Sequence, residues 1–288
     1  MSNSEKKALE FITKHRLKFY TVGILLLFFV LSIVSQFAYD SITGGSYSYT
    51  EDSEYDEYYS DSCNVLGINL HGDLYTYIPE GNEEDYLSSN DVTGSEDIVS
   101  AIWAAEEDEN IKAVLLEIDS YGGMPVAGEE IADALKNLSK PSVAVIRQSG
   151  TSAAYWAAIG ADRIFASRNS DVGSIGVTMS YLEEATPDKK YVQLSSGKFK
   201  DAGNPDKPLT NEEKELLLRD IKIIHENFIN AVAVARNIPE DQVRIIADGS
   251  SVLGDSALSL KLIDEIGSWK AAEKYLEQQI GEKPEICW

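Results

Sequence analysis

Histidine is nearly missing from this chain: of 288 residues, only His15, His71 and His225 carry an imidazole. A His-dependent nucleophile must draw on those three. His15 precedes a long apolar run, and His225 follows Ile223 and Ile224 in a helical stretch, where a structural role suffices. His71, beside Gly72 at the end of the first predicted strand, is the one serious rival as a general base. Cysteine is as sparse. Cys63 and Cys287 have no metal-ligand spacing, and Asp61-Ser62 before Cys63 does not make a lipid-attachment motif. The two flank the stretch that can fold as a domain, and a bridge between them is open outside a reducing compartment, although sequence sets no distance. Basic charge is also short: 25 Lys and Arg against 48 Asp and Glu give a formal net charge of -23. Nucleic acid repels such a surface, and no basic stripe offsets it, so nucleic-acid binding is the first class excluded.

The basic residues that are present cluster at the start. Lys6, Lys7, Lys14, Arg16 and Lys18 precede an uncharged apolar run over 19–39, which opens on Phe19 and closes on Tyr39. At ~1.5 Å per residue a helix of this length spans roughly the ~30 Å hydrocarbon core of a bilayer. Positive charge before the run and Asp40, Glu51, Asp52 and Glu54 after it place 1–18 in the cytoplasm and the remainder outside. A cleavable signal peptide is the rival, but its apolar region is ~7–15 residues and ends in small residues, unlike Ser35-Gln36-Phe37-Ala38. The pattern therefore predicts one uncleaved transmembrane helix and a cell-membrane location. Residues 40–62, rich in Gly, Ser, Tyr and acid, hold too little aliphatic surface to bury a core and are expected to form a flexible stalk. The alternative for that tract is a charged docking segment for a basic partner. Residues 63–288 are left as the extracytoplasmic domain.

In that domain apolar runs of strand length (65–70, 113–119, 142–147, 163–166, 191–195) alternate with helical periodicity at 95–107 and 126–138. Such alternation predicts an α/β domain with mainly parallel pairing. Beyond Leu209 the pattern becomes helical. Thr210-Asn211-Glu212-Glu213 reads as a capping box opening a helix to about Arg236, and Pro239 opens another that Gly249 stops.

Three glycine-bearing segments lie next to predicted strands, and each has an ordinary reading beside a chemical one. Gly122-Gly123 after the second strand is a tight turn, or a place where backbone N–H groups face a carbonyl unobstructed. Ser152, in Gly150-Thr151-Ser152-Ala153-Ala154-Tyr155, is a helix N-cap, or a hydroxyl poised among unpaired N–H groups. Gly173-Ser174-Ile175-Gly176-Val177 is followed by Ser196-Gly197-Lys198-Phe199-Lys200-Asp201. A lysine serves as a base only when neutral, and a reference pKa of ~10.4 must fall by about three units, worth ~4 kcal/mol of burial. Nothing local says that Lys198 or Lys200 is buried.

The order of these segments resembles the signal peptide peptidase SppA (protease IV) family, from about Val65 to Gly267, including Ala247-Asp248-Gly249 and the closing stretch 257–267. The resemblance implies a ClpP/crotonase-like spiral of ββα units with a helical C-terminal part. It also implies a serine endopeptidase with Ser152 as nucleophile and Lys200, not Lys198, as base. Gly122, Gly123 and Ala153 would build the oxyanion hole, and Ser174 would orient the lysine. No metal or cofactor is implied. Expected substrates are extended apolar peptides such as signal-peptide remnants. Short members of the family assemble as rings, so a homo-oligomer, octameric by analogy, is expected, with sites shared between subunits.

Two features depart from the family pattern. Tyr121 stands where a Pro precedes the Gly pair, and Ala153 and Ala154 replace two Gly after the nucleophile. The added methyls are harmless if φ is negative there, as the first turn of a helix requires. These departures keep alive a non-catalytic membrane scaffold as one alternative. A crotonase-like acyl-transfer enzyme is the other, although its coenzyme A esters are intracellular.

Overall fold

The computed structural model describes residues 4–7, 13–14, 63–78, 92–183 and 191–288. The chain divides into two compact units, Met1–Glu57 and Tyr58–Trp288. Of the first unit, Ser4–Lys7 are helical; the expected membrane helix over 19–39 and stalk over 40–62 lie outside the described residues. No helix among the described residues is long and apolar enough to cross a membrane.

The second unit is an α/β domain built on one mainly parallel sheet. In chain order its elements are β1 (Val65–Tyr75), β2 (Val92–Gly94), α1 (Ser95–Glu107), β3 (Ala113–Gly123), α2 (Pro125–Asn137), β4 (Ser142–Thr151), α3 (Ala153–Ala158), β5 (Arg163–Ala166), β6 (Asp171–Gly173), α4 (Asn211–Arg236), α5 (Glu240–Ile246), β7 (Ser251–Leu253), α6 (Gly254–Ser259), β8 (Glu265–Ile266), α7 (Trp269–Ile280) and β9 (Ile286–Cys287). The strand order is β2-β1-β3-β4-β5-β8; β6 pairs parallel with the end of β4 and antiparallel with β7, and β9 pairs with β1.

Central strands read as continuous apolar runs because both faces of the sheet are covered. Leu66, Ile68 and Leu70 of β1, Val114, Leu116 and Ile118 of β3, and Ala144 and Ile146 of β4 point into the larger core with α1, α2, α3 and α4. The alternate residues Val65, Ala113, Leu115, Val143 and Val145 pack with Phe165 against Ala272 and Leu276 of α7. Small residues bring α2 and α3 together: a Cβ at Gly128 would lie 2.4 Å from Ala153 O, and one at Gly160 2.4 Å from Ala132 O.

Cys63 and Cys287 are joined in a disulfide, with Cα atoms 5.8 Å apart, and β9 lies parallel to β1 beside it. The capping box is complete: Thr210 Oγ1 accepts from Glu213 N–H, and the Glu213 carboxylate accepts from Thr210 N–H. The helix it opens ends at Asn237, whose left-handed conformation (φ 50°) closes the last turn.

The expected strand over 191–195 does not form. Val192 and Leu194 alternate as a strand would, but no neighbour among the described residues pairs with them and Leu194 is 93% exposed. Strand periodicity makes a strand only where another edge offers hydrogen bonds.

Candidate active site

β4 ends at Thr151 and α3 begins at Ala153, leaving Ser152 alone to turn the chain. It does so at φ 54° and ψ −128°, a region non-glycine residues rarely occupy and hold at a cost of about 1–3 kcal/mol. Its N–H donates to Gly173 O at 2.7 Å, which fixes the turn. Ser152 sits at the N-cap position, yet its side chain makes no capping hydrogen bond. The ordinary reading of this serine, as a helix cap, therefore fails. A strained backbone carries a hydroxyl that does nothing for the helix, and the first N–H groups of α3 have no intrahelical acceptor. Ala153 and Ala154 are buried in that first turn and neither has positive φ, so their methyls are tolerated.

The glycine pair lies directly against this turn. Gly122 has φ 106°, and a Cβ there would stand 2.8 Å from Ser152 Cβ, 2.8 Å from Thr151 O and 2.9 Å from Ala153 N. A Cβ at Gly123 would fall 2.0 Å from Leu74 O. Both positions thus require glycine for space, and Gly122 for conformation as well. One buried hydroxyl and one carboxylate tie the two strand ends: Thr151 Oγ1 donates to Tyr121 O at 3.1 Å, and Ser149 N–H donates to Asp119 Oδ1 at 3.2 Å. Tyr121 itself is 72% exposed. A crevice of only about 10 Å³ beside Ser152 is lined by Gly123, Pro125, Trp156, Val177 and Phe228, with Trp156 and Phe228 stacked at 4.5 Å between ring centroids.

Ser174 also has positive φ (52°). Its hydroxyl donates to Gly249 O at 2.8 Å and its N–H to Ser250 O at 3.1 Å, so it braces the β6 turn and does not touch a lysine. Lys200 is exposed, and its amine has no hydrogen-bond or ion-pair partner among the described residues. Lys198 instead pairs with Glu212 at 2.7 Å. The chain around Lys200 is held from behind. Tyr191 donates its hydroxyl to Asp201, which also accepts from Asn204 Nδ2 at 3.1 Å. That bond lowers the Asp201 carboxyl and pushes the Tyr191 phenol up to about 12. The structure therefore unites Ser152, Gly122, Gly123 and Ala153, places Ser174 nearby on other duty, and leaves Lys200 facing outward.

Further along, Lys207 Nζ lies 2.5 Å from Glu213 Oε1, and with Thr210 it holds the Glu213 carboxyl down at about 2. A folded-state value below the ~4.3 of an unfolded chain means stability that is complete above about pH 4.5 and lost as pH falls toward 2. Glu213→Gln should therefore lower the melting temperature at pH 6, and its deficit should vanish near pH 2 in a thermal scan against pH. A deficit independent of pH would contradict this account.

His71 belongs to the other face of the sheet. Its Nε2 lies 2.9 Å from Glu117 Oε1, which Arg147 also contacts at 3.1 Å, in a groove walled by Trp269 and Trp288. It alternates with Leu70, whose side chain enters the core shared with α3, so it is no base for Ser152. His225 Nε2 is buried without a hydrogen-bond partner among the described residues, and His15 lies outside them. No metal-binding group of His, Cys, Asp and Glu occurs among the described residues.

A strained serine thus faces a glycine turn at the carboxyl end of a parallel sheet, and comparison with known proteins gives the class. The chain belongs to peptidase family S49, whose model matches residues 134–283, more than half of its length. The Clp protease model matches 81–172, the part that carries most of the sheet, in keeping with a ClpP-like fold. Protease 4 of Haemophilus influenzae is 29% identical over 241 residues, covering 81% of this chain and 39% of that protein. The chloroplastic serine protease SPPA of Arabidopsis thaliana is 30% identical over 193 residues, 64% of this chain and 28% of its own. A Methanocaldococcus jannaschii protein, whose protease assignment is itself provisional, is 37% identical over 179 residues, 60% of this chain and 58% of its own. The chain thus spans between 28% and 58% of the length of these relatives. A ClpP1 variant from Listeria monocytogenes superimposes at a TM-score of 0.47 with 15% identity, over 71% of this chain and 92% of that one.

Proposed function

We propose that the chain is a membrane-anchored serine endopeptidase in which Ser152 is the nucleophile and Lys200, from a neighbouring copy, is the general base. The observation that carries this reading is Ser152: a strained residue with an uncommitted hydroxyl, pressed against a glycine that no other residue could replace. The free, outward Lys200 supports a site shared between copies, as do the exposed Met179, Leu182, Val192 and Leu194 on the same stretch of chain. An amine is a base only when neutral, and cover by a neighbour is the desolvation that favours the neutral form. In the reaction, neutral Lys200 takes the Ser152 proton while Oγ bonds to the substrate carbonyl carbon, and backbone N–H groups hold the oxygen that gains charge. The C–N bond then breaks, Lys200 returns the proton to the leaving amine, and water hydrolyses the acyl-enzyme.

The apolar run 19–39 would anchor the chain with its N-terminus in the cytoplasm and the domain outside, where the Cys63–Cys287 bridge is stable. That placement suits extended apolar peptides such as signal-peptide remnants, which lie in or near the bilayer. The test is hydrolysis of an apolar fluorogenic peptide by the full chain in detergent. Ser152→Ala and Lys200→Ala should each lose at least ~10³-fold in kcat. Co-assembling the two inactive variants should restore part of the activity, because some interfaces then pair an intact serine with an intact lysine. Full activity in Lys200→Ala would sink the dyad. Silence from assembled wild type across varied peptides would favour the scaffold.

A further inference from the structure

β1 and β3 fall out of step near their carboxyl ends. His71 pairs with Asp119, but Asp73 pairs with Gly122, so β3 carries one extra residue there. Such a bulge leaves ladder groups in need of other partners. One buried hydroxyl bridges the gap. Ser120, 1% exposed, donates Oγ–H to Gly72 O at 2.6 Å and accepts Gly122 N–H at 3.0 Å. A hydroxyl has the one proton and the lone pair that this requires.

The consequence falls on the glycine pair. Gly122 N–H, already bonded to Ser120, is not free to receive an oxyanion. Met124 N–H donates to Leu74 O at 2.8 Å, on the β1 side. Successive N–H groups alternate in direction along a strand, which turns Gly123 N–H toward the edge where β4 ends and Ser152 begins. Ala153 N–H, in the first turn of α3, has no intrahelical acceptor.

We propose that Ser120 is a positioning residue for the oxyanion hole: by tying Gly122 to Gly72 across the bulge, it leaves Gly123 and Ala153 as the donor pair and fixes the direction of Gly123 N–H. This rests on the peptidase reading above. Gly122 then supplies space and conformation, Gly123 supplies the hydrogen bond, and Ser120 divides the two tasks. Because the oxyanion exists only in the transition state, misalignment lowers kcat and leaves KM in place.

The test uses the full chain in detergent, with kcat and KM on one fluorogenic peptide and inhibition by a peptide boronate, whose adduct carries an anionic oxygen. Ser120→Ala should lower kcat about 10- to 100-fold, less than the ~10²–10³ of losing a donor outright, with KM held within about 2-fold. Boronate affinity should fall in parallel. Ser120→Thr, which keeps the hydroxyl, should stay within about 5-fold of wild type in kcat. Ser142→Ala removes another buried hydroxyl, one bonded to Asp162 at the opposite end of β4, and should change neither parameter. Wild-type kcat in Ser120→Ala, or equal losses in the Ala and Thr variants, would overturn the positioning role while leaving the peptidase reading intact. Activity that survives Ser152→Ala would overturn both.

Discussion

Gly122→Ala should reduce kcat by at least about 10³-fold. The new Cβ would enter the Ser152 turn itself, within 2.8 Å of both Ser152 Cβ and Thr151 O and 2.9 Å of Ala153 N. None of these atoms can swing away, because Ser152 is fixed by its bond to Gly173 and Ala153 is already inside a helix. The backbone would suffer as well, since φ 106° is a glycine conformation. Strain and site damage separate with a control. Gly281 also has positive φ (76°), caps α7, and has nothing within 4 Å of where a Cβ would stand. Gly281→Ala should therefore cost only the conformational part, about 1 kcal/mol, seen in the melting temperature and not in kcat. Thermal scans and kinetics on both variants check the pair. Unchanged kcat in a folded Gly122→Ala would mean that the Ser152 turn is not where the chemistry happens.

How much of this site was legible beforehand depends on the range of the interaction involved. The capping box at Thr210 and the Gly pair at 122–123 are local, written in adjacent residues, and both appear where the sequence places them. The junction at Ser152 was legible as a strand meeting a helix, but its positive φ was not. That angle is imposed from Gly173, on a strand that pairs with the end of β4. Ser120 was invisible for a related reason. Its role exists only because β1 and β3 slip by one residue, and a register shift belongs to two strands at once. A serine two residues before a glycine pair was the only signal, and by itself it reads as an ordinary turn.

The tail of the domain shows the same limit from the other side. β6, β7, β8 and β9 are two or three residues long, and only their partners make them strands. Residues 191–195 have the better strand pattern and form none, because no edge among the described residues reaches them. In the sequence, only the family resemblance distinguishes Lys200 from Lys198. The structure adds a difference between them, for Lys198 is paired with Glu212 and the Lys200 amine is left without a partner among the described residues. The bridge between the two cysteines was open in the sequence and closes only through the pairing of β9 with β1.

Breaking that bridge should lower the domain's stability by about 5 kcal/mol, on the chain-entropy account of a very long closed loop. The two sulfurs are separated by 224 residues in sequence, so the bond joins the two ends of the folded unit. What it holds is a thin closure. β9 contributes only Ile286 and Cys287 to the sheet, and Asn64 Nδ2 adds polar ties to Glu282 and Lys283. Trp288 lies flat over Gly67, where a Cβ would meet its ring at 2.7 Å, and packs edge-on against Trp269 at 4.8 Å. For a domain of this size such a loss should lower the melting temperature by roughly 10 °C or more. Cys63→Ser with Cys287→Ser, or reduction of the wild type, should show it in a thermal scan. Activity well below the melt should persist, because Cys63 precedes the amino end of β1 while Ser152 stands at the carboxyl end of β4, a parallel neighbour one strand removed. A melting temperature indifferent to reductant, with two thiols titrating in the native protein, would show the bridge absent. A fall in activity matching the fall in stability at 25 °C would show instead that the closure reaches across the sheet to the serine.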